Sequence, residues 1–422
     1  MKEMHIVFID TTWGGVETMR LAKQRGLRVS LIRSGYRDDR FRTERVQRIV
    51  STLDTVITIS ATTVETAVLR SLQQIAAIAP IDAVISEFEA CVDVAARVCA
   101  RLSIPFTSAS AVAAARDKAR AREIIQSAGL RCPRFRQVVT PRQARAAAEA
   151  IGVPVVVKPR TGYYSLLAAV APTSTDAERA AQNLLSGIDA LPVHLQAQFR
   201  KGILVEEHLI GPLVSAEIGV RDEKFYHFMV SDHPRAREDE CIEMGASMPA
   251  DLTQDQIKSC FQYAEAVARE LGFDMGIFHV EMIATEQGPV LVEMNSRVMG
   301  GVMPSVYHHL TGEWIQERLL DIHLGFPIRD VPPQYSGYVS ARNIMPGRDA
   351  ALADRIDLSW LTEYSENLIE FDPHRLEPSI EVRRKEILGW YHLRADSFTE
   401  ANMVANTVLR RFEASIGVPL LH

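Results

Sequence analysis

From residue 5 the chain alternates short apolar runs with amphipathic stretches, the pattern of parallel α/β units. "HIVFID" reads as a strand, "VETMRLAKQRG" as a helix stopped by Gly26, and "RVSLIR" as the next strand. Farther on, "TVITIS" and "DAVISE" read as strands separated by the helix "TVETAVLRSLQQIAAIA". This predicts a Rossmann-like layer over residues 1–112. The turn "TTWGG" after the first strand lacks the G-x-G-x-x-G spacing and reads as a plain strand-to-helix turn rather than a dinucleotide fingerprint.

The next unit opens with "SAVAAARDKARAREIIQSAG", predicted as one helix with Gly129 just past its end. Thr140 and Pro141 are an N-cap and first-turn pair for "RQARAAAEAIG", which Gly152 closes. The strand "VPVVVKP" and the segment "RTGYYS" follow, and "ILVEEHLIG", "VSAEIGV" and "FYHFMVSD" read as strands of one antiparallel sheet. Thr253 caps the long helix "QDQIKSCFQYAEAVARELG". "GIFHVEMIA" and "PVLVEMN" then form a strand pair joined by the turn "TEQG". From about residue 331 the chain turns Pro-rich, "DVPPQYSGY", and continues as an α+β segment to His422. The expected divisions are 1–112, 113–200, 201–330 and 331–422, with no internal repeat and no low-complexity tract.

Composition narrows the class of protein. At 422 residues the chain can bury two or three cores without disulfide staples. The balance of 47 basic and 53 acidic residues, a net −6 with no long block of one sign, argues against nucleic acid or an anionic membrane as the main partner. Five scattered cysteines with no C-x-x-C pair read as reduced thiols. The N-terminal apolar run is too short for a secretory signal, and no stretch approaches the roughly 20 apolar residues of a membrane span. A cytoplasmic location is expected.

The candidate chemistry sits on the last strand pair. Side chains alternate along a strand, so "FHVEMIA" puts His279 and Glu281 on one face, and "VLVEMNSR" does the same for Glu293, Asn295 and Arg297. Converging buried carboxylates repel unless one is protonated or a cation lies between them. Oxygen ligands from two Glu and an Asn suit a hard ion, namely Mg²⁺. A solvated face with ion pairs among Glu281, Glu293 and Arg297 explains the same residues equally well. In "VVVKPRTGYYS", Lys158 ends a buried strand, where a charge needs an anionic partner, and the following glycine-containing loop offers backbone N–H groups to phosphate.

The order of these pieces is more specific than any one of them: "RDKARAR", "VVVKPRTGYYS", "ILVEEHLIGP", "HVE", then "VEMNSRVMGG". That order resembles the ATP-grasp superfamily over roughly residues 100–325. With "IEMGASMP" before the motif's tail and the double glycine after it, the chain looks most like the branch that joins amino acids, the L-amino-acid ligases (dipeptide synthetases) and carnosine-synthase-like enzymes. The resemblance implies a Rossmann-like N-terminal domain, an ATP-grasp module of two subdomains and a C-terminal α+β cap. It implies ATP and Mg²⁺, with Mn²⁺ as the alternative ion, and small-molecule carboxylate and amine substrates of amino-acid type. A homodimer is a candidate assembly. By the same resemblance Lys118 and Lys158 hold phosphates under a mobile 160–165 loop, with Ser165 as a further donor. Glu206 accepts from the adenine amino group, and the backbone from Glu207 to Leu209 reads the ring edge. Glu281 and Glu293 ligate Mg²⁺ with Asn295, Arg297 meets the transferring phosphoryl group, and Glu243, Gly300 and Gly301 line the substrate site.

Two positions depart from the pattern. Leu213 stands where many relatives carry a ribose-binding carboxylate, and Glu217 is read as an exposed strand residue in preference to a substitute for it. Ala246 stands where some dipeptide ligases have a histidine. Met294, Met299 and Met303 read as core packing, His308 and His309 lack matched metal ligands, and "HPRARED" (233–239) reads as a solvated loop beside Glu243, with contact to a substrate carboxylate as the alternative. The rival functions are another ATP-grasp reaction of biotin- or purine-carboxylase type, a nucleotide-binding module without turnover, and a nicotinamide-dependent dehydrogenase.

Overall fold

Short runs rich in Val and Ile, bounded by turn residues, build three large sheets and two two-stranded ones among the described residues, and the large sheets carry the candidate site. The structure is a computed structural model and describes residues 3–35, 43–162, 165–191, 193–329 and 333–422. The N-terminal sheet is parallel, in the order Thr55–Ile59, Arg28–Ser34, His5–Ile9, Ala83–Ile85. Its inner strand His5–Ile9 and the strand Ala83–Ile85 are buried along their whole length, as strands covered by helices on both faces are, whereas the edge strand Thr55–Ile59 is partly exposed. The "TTWGG" turn leads directly into the helix Trp13–Gln24, with Thr12 accepting from the Gly15 N–H as its N-cap. A Cβ on Gly15 would fall 2.4 Å from Thr11 Oγ1, so a larger residue here would have to displace the buried Thr11 side chain.

The helix expected over "SAVAAARDKARAREIIQSAG" is two helices, Ala109–Arg116 and Lys118–Ser127, broken at Asp117. The Asp117 carboxylate accepts from the Arg120 N–H as N-cap and takes the Arg160 guanidinium at 2.7 and 2.6 Å. An N-cap residue is non-helical by nature, and the break leaves Lys118 at the start of a helix. The caps read at Thr140 and Thr253 form complete capping boxes with Gln143 and Gln256.

The strands expected to form one antiparallel sheet divide between two. Ile203–Glu207 lies between Phe135–Val138 and Val155–Pro159 in a four-stranded sheet closed by Ala169–Ala171. Leu213–Arg221 and Lys224–Asp232 belong instead to an eight-stranded antiparallel sheet. That sheet runs from Gly288–Asn295 through Met275–Thr285, Leu213–Arg221, Lys224–Asp232 and Gly245–Met248 to Tyr338–Ile344, Gly389–Ala395 and Leu368–Asp372. It therefore continues without a break across the division expected near residue 331; Asp330 and the two residues after it lie outside the described residues.

Met299 and Met303 are buried in one core with Ile6 and Phe8 of the N-terminal sheet and with Val339 and Ala341 of the C-terminal segment. Met294 is buried in the adjoining core behind the large sheet. Fully burying side chains of this size stabilises the fold by about 1.5–3 kcal/mol each, so the methionines tie these units together. Among the described residues no helix is long and apolar enough to cross a membrane.

Candidate active site

The turn between Met275–Thr285 and Gly288–Asn295 sets an antiparallel register that places Glu281 opposite Glu293 and His279 opposite Asn295. On the other side of Met275–Thr285, Glu281 faces Ser215 and His279 faces Glu217. Six polar side chains thus share one face of three adjacent strands. Asn295 Nδ2 donates to Glu281 Oε1 at 3.0 Å, and His279 lies between Glu217, to which its Nδ1 is hydrogen-bonded, and Glu281, 3.4 Å from its Nε2. Burial works against a charged His279, but the Glu217 carboxylate outweighs it and pushes its pKa up to about 10. Burial likewise opposes the charge on Glu281, and the hydrogen bond from His279 nevertheless holds its carboxyl below the ordinary value.

Glu217 is fully buried, not an exposed strand residue. Its second oxygen accepts from the Met299 N–H at 3.1 Å, which couples the strand face to the loop ahead of Gly300 and Gly301. Leu213, at the start of the same strand, is buried as well. His233 also departs from the solvated loop expected for 233–239: it is 2% exposed, with Nδ1 2.8 Å from Glu243 Oε2 and Nε2 2.9 Å from Ser215 Oγ. Glu243 is thereby joined to the same polar face.

A second group of charges lies on the two inner strands of the four-stranded sheet Phe135–Val138, Ile203–Glu207, Val155–Pro159, Ala169–Ala171 and on the helix Lys118–Ser127. Lys118 Nζ donates to Glu293 Oε1 at 2.7 Å and to the Gly162 carbonyl at 2.9 Å, linking the carboxylate strand to the loop after Lys158. Lys158 Nζ is 2.6 Å from Glu206 Oε2, and the Arg122 guanidinium donates to the other oxygen at 2.9 Å. Burial pulls the Lys158 pKa down, and Glu206 offsets part of that effect. A β-bulge between Glu281 and Met282 leaves the Val292 carbonyl to accept from Arg122 at 2.6 Å. Glu207 pairs with Arg134 at 3.2 Å, and Leu209 is half-buried beyond the strand end. Ser165 is exposed with φ +48°. Tyr163 and Tyr164 of the expected mobile loop lie outside the described residues.

Arg297 pairs with a residue from the N-terminal part of the chain: its Nε is 3.0 Å from Glu89 Oε2. Arg116 holds the other Glu89 oxygen at 3.0 Å. Gly300 packs against the Arg297 guanidinium, where a Cβ would come within 3.1 Å of a terminal nitrogen, and Gly301 adopts φ +59°. Glu87 is buried beside the "TTWGG" turn and accepts from Thr18 at 2.6 Å; burial raises its pKa to about 7, with Thr18 and Arg297 pulling the other way.

Glu87, Glu89 and His233 were not singled out by the sequence patterns. "SEFEA" nonetheless places two acids just beyond the carboxyl end of a parallel strand, where ligand sites of open α/β sheets gather. The assembled arrangement is a row of oxygen donors suited to a hard cation, two lysines able to take anionic oxygens beside it, and a guanidinium at the mouth. Such a set neutralises charge that develops during phosphoryl transfer.

Residues 151–305 match the family model described as "ATP-grasp domain". The chain is 23% identical over 271 residues to alanine–anticapsin ligase of Bacillus subtilis (strain 168), covering 61% of this chain and 57% of that protein. It is 27% identical over 233 residues to carnosine synthase 1 of Gallus gallus, covering 52% of this chain and 24% of that protein. It therefore spans little more than half the length of one of these relatives and about a quarter of the other. The fold is that of an L-amino acid ligase from Bacillus licheniformis, with a TM-score of 0.82 at 16% identity and full coverage of both chains.

Proposed function

With an ATP-grasp domain matched across residues 151–305, we propose that this protein is an ATP-dependent ligase that joins a carboxylate to an amine, both of amino-acid type. The observation that carries the reading is the strand register that sets Glu281 against Glu293, with Lys118 on Glu293 and Arg297 at the adjoining mouth. Similarity to the two curated ligases supports the substrate class.

In this reading a carboxylate oxygen attacks the γ-phosphorus of ATP, the bond to the bridging oxygen breaks, and ADP leaves. The amine nitrogen then attacks the acyl carbon of the acyl phosphate, phosphate departs, and the ammonium loses a proton to give the amide. Glu281, Glu293 and Asn295 are an all-oxygen donor set for Mg²⁺, which when bound neutralises phosphate charge. Lys118 and Lys158 bind phosphate oxygens. Glu206, which holds Lys158 in place with Arg122, accepts from the adenine amino group, and the backbone from Glu207 to Leu209 takes the adenine edge. Arg297 spans the donor carboxylate and the transferring phosphoryl group through its planar fork. Glu243, oriented by His233, and the Gly300–Gly301 backbone contact the amino-acid substrates. Ser165 adds a donor to the phosphates, and the 160–165 segment excludes water that would hydrolyse the acyl phosphate.

The test is phosphate release from ATP and Mg²⁺ screened over pairs of amino acids, followed by mass measurement. Phosphate release that needs both an acid and an amine, with a product lighter than their sum by one water, is expected. Release that requires bicarbonate instead would overturn the reading in favour of a carboxylase.

A further inference from the structure

A second cluster of ligating side chains lies away from the carboxylate face, where the helix Met303–Thr311 crosses the far end of the large sheet. Glu370 and His392 are direct cross-strand partners of Leu368–Asp372 and Gly389–Ala395, so their side chains leave the same face. His309 reaches the same point from the helix. Its Nε2 is 2.8 Å from Glu370 Oε2, and His392 Nδ1 is 3.2 Å from that oxygen. Ser305, one turn earlier on the helix, donates to it at 2.6 Å. The three ligating atoms all lie within 4.8 Å of one another.

His392 carries the argument further. Its ring is 0% exposed, and neither nitrogen has a hydrogen-bond partner. Its Nδ1 approaches Glu370 without the geometry of a hydrogen bond. A buried imidazole whose nitrogens make no hydrogen bond is costly, and one facing a carboxylate and a second imidazole is placed to bind a cation.

We propose that His309 Nε2, Glu370 Oε2 and His392 Nδ1 form a zinc site that clasps the helix after the double glycine to the C-terminal strands. Two imidazoles and a carboxylate suit Zn²⁺ and do not suit Mg²⁺. With bonds of about 2.0–2.1 Å, tetrahedral ligand atoms stand roughly 3.3–3.4 Å apart. The 3.2 Å separation is already close to this, and the 2.8 Å one opens by about half an ångström. Ser305 orients the carboxylate from behind. His309 and Glu370 are 24% and 34% exposed at their side chains, which gives an entry path and leaves a fourth position for water. The site is separate from the Glu281–Glu293 pair and does not depend on the ligase reading.

The experiment uses the full chain, untagged and stripped with a chelator, titrated with Zn²⁺ alone against a chromophoric competitor in the absence of nucleotide. One equivalent per chain is expected, with a rise in the thermal midpoint. His309→Ala and Glu370→Gln should each weaken that equivalent at least tenfold and abolish the rise, while Glu281→Gln keeps both. Co²⁺ loaded in place of Zn²⁺ should give the wild type the intense visible absorption of a tetrahedral site, a readout that needs no variant to fold. A wild type that binds no equivalent, a pale octahedral Co²⁺ spectrum, or folded His309→Ala and Glu370→Gln variants that bind as tightly as the wild type would overturn the proposal.

Discussion

Glu293 faces Glu281 across the strand pair and receives Lys118 at 2.7 Å, and in the proposed reaction the same charge holds Mg²⁺. Glu293→Gln keeps the shape and removes the charge. Turnover in the phosphate-release assay should fall to background while the far-UV spectrum stays near wild type and the unfolding midpoint drops, because Lys118 loses its counter-charge; a folded variant with near-normal amide formation would remove the metal assignment. Arg297 differs because its contact strengthens as charge builds. Arg297→Ala should act mainly on kcat, at about 3–4 kcal/mol by analogy with loss of one oxyanion donor, and Arg297→Lys should rescue poorly because lysine lacks the planar fork. If only the KM for ATP rises, Arg297 is an ordinary nucleotide contact. Glu87 offers a pH test. Its pKa is raised to about 7 in the fold from 4.5 when unfolded, so the folded state binds the extra proton between these values. Stability is therefore lost as pH rises from 4.5 to 7, and above 7 the full cost is present. Glu87→Gln, which still accepts from Thr18, should be more stable than wild type at pH 8, by on the order of 2–3 kcal/mol. The difference should shrink to nothing near pH 4.5 in urea melts, and a gap independent of pH would refute the burial argument.

Among the elements, the break at Asp117 matters most for the site. One carboxylate ends the helix Ala109–Arg116, caps the helix Lys118–Ser127 and holds Arg160, whose carbonyl accepts from the Lys118 N–H at 3.1 Å. Asp117→Ala should cost about 1–2 kcal/mol in denaturant unfolding through loss of the cap. It should also raise the KM for ATP severalfold, because Lys118 would no longer be anchored beside Glu293. A stability loss with unchanged KM would separate the cap from the site.

At the scale of the whole molecule, the large sheet makes the C-terminal segment part of the same folding unit as the strands that carry the carboxylates. Gly245–Met248 pairs with Tyr338–Ile344 along four residues, and Val339 and Ala341 share a core with Ala246 and Met248. A chain ending at residue 330 would expose that strand edge and open that core, an invitation to aggregate. Residues 1–330 expressed alone should elute as aggregate and bind a hydrophobic dye, whereas a monodisperse product with a cooperative melt would show that the segment is dispensable for folding.

The sequence by itself determined the parallel N-terminal layer, the caps at Thr140 and Thr253, and the sharing of one strand face by Glu281, Glu293 and Asn295. All of these follow from local rules: a side-chain period of two, a short turn, and hydroxyls that satisfy the first amides of a helix. The tertiary structure alone decided that Ile203–Glu207 joins a different sheet from Leu213–Arg221. It also decided that Glu217 is buried against His279 instead of exposed, that Arg297 pairs with Glu89, and that His309 meets Glu370 and His392. The partners in those contacts stand 61 or more residues apart in the chain, apart from the cross-strand pair Glu370 and His392. Local periodicity says which face a side chain leaves by, but not which distant strand, at which register, will be waiting there.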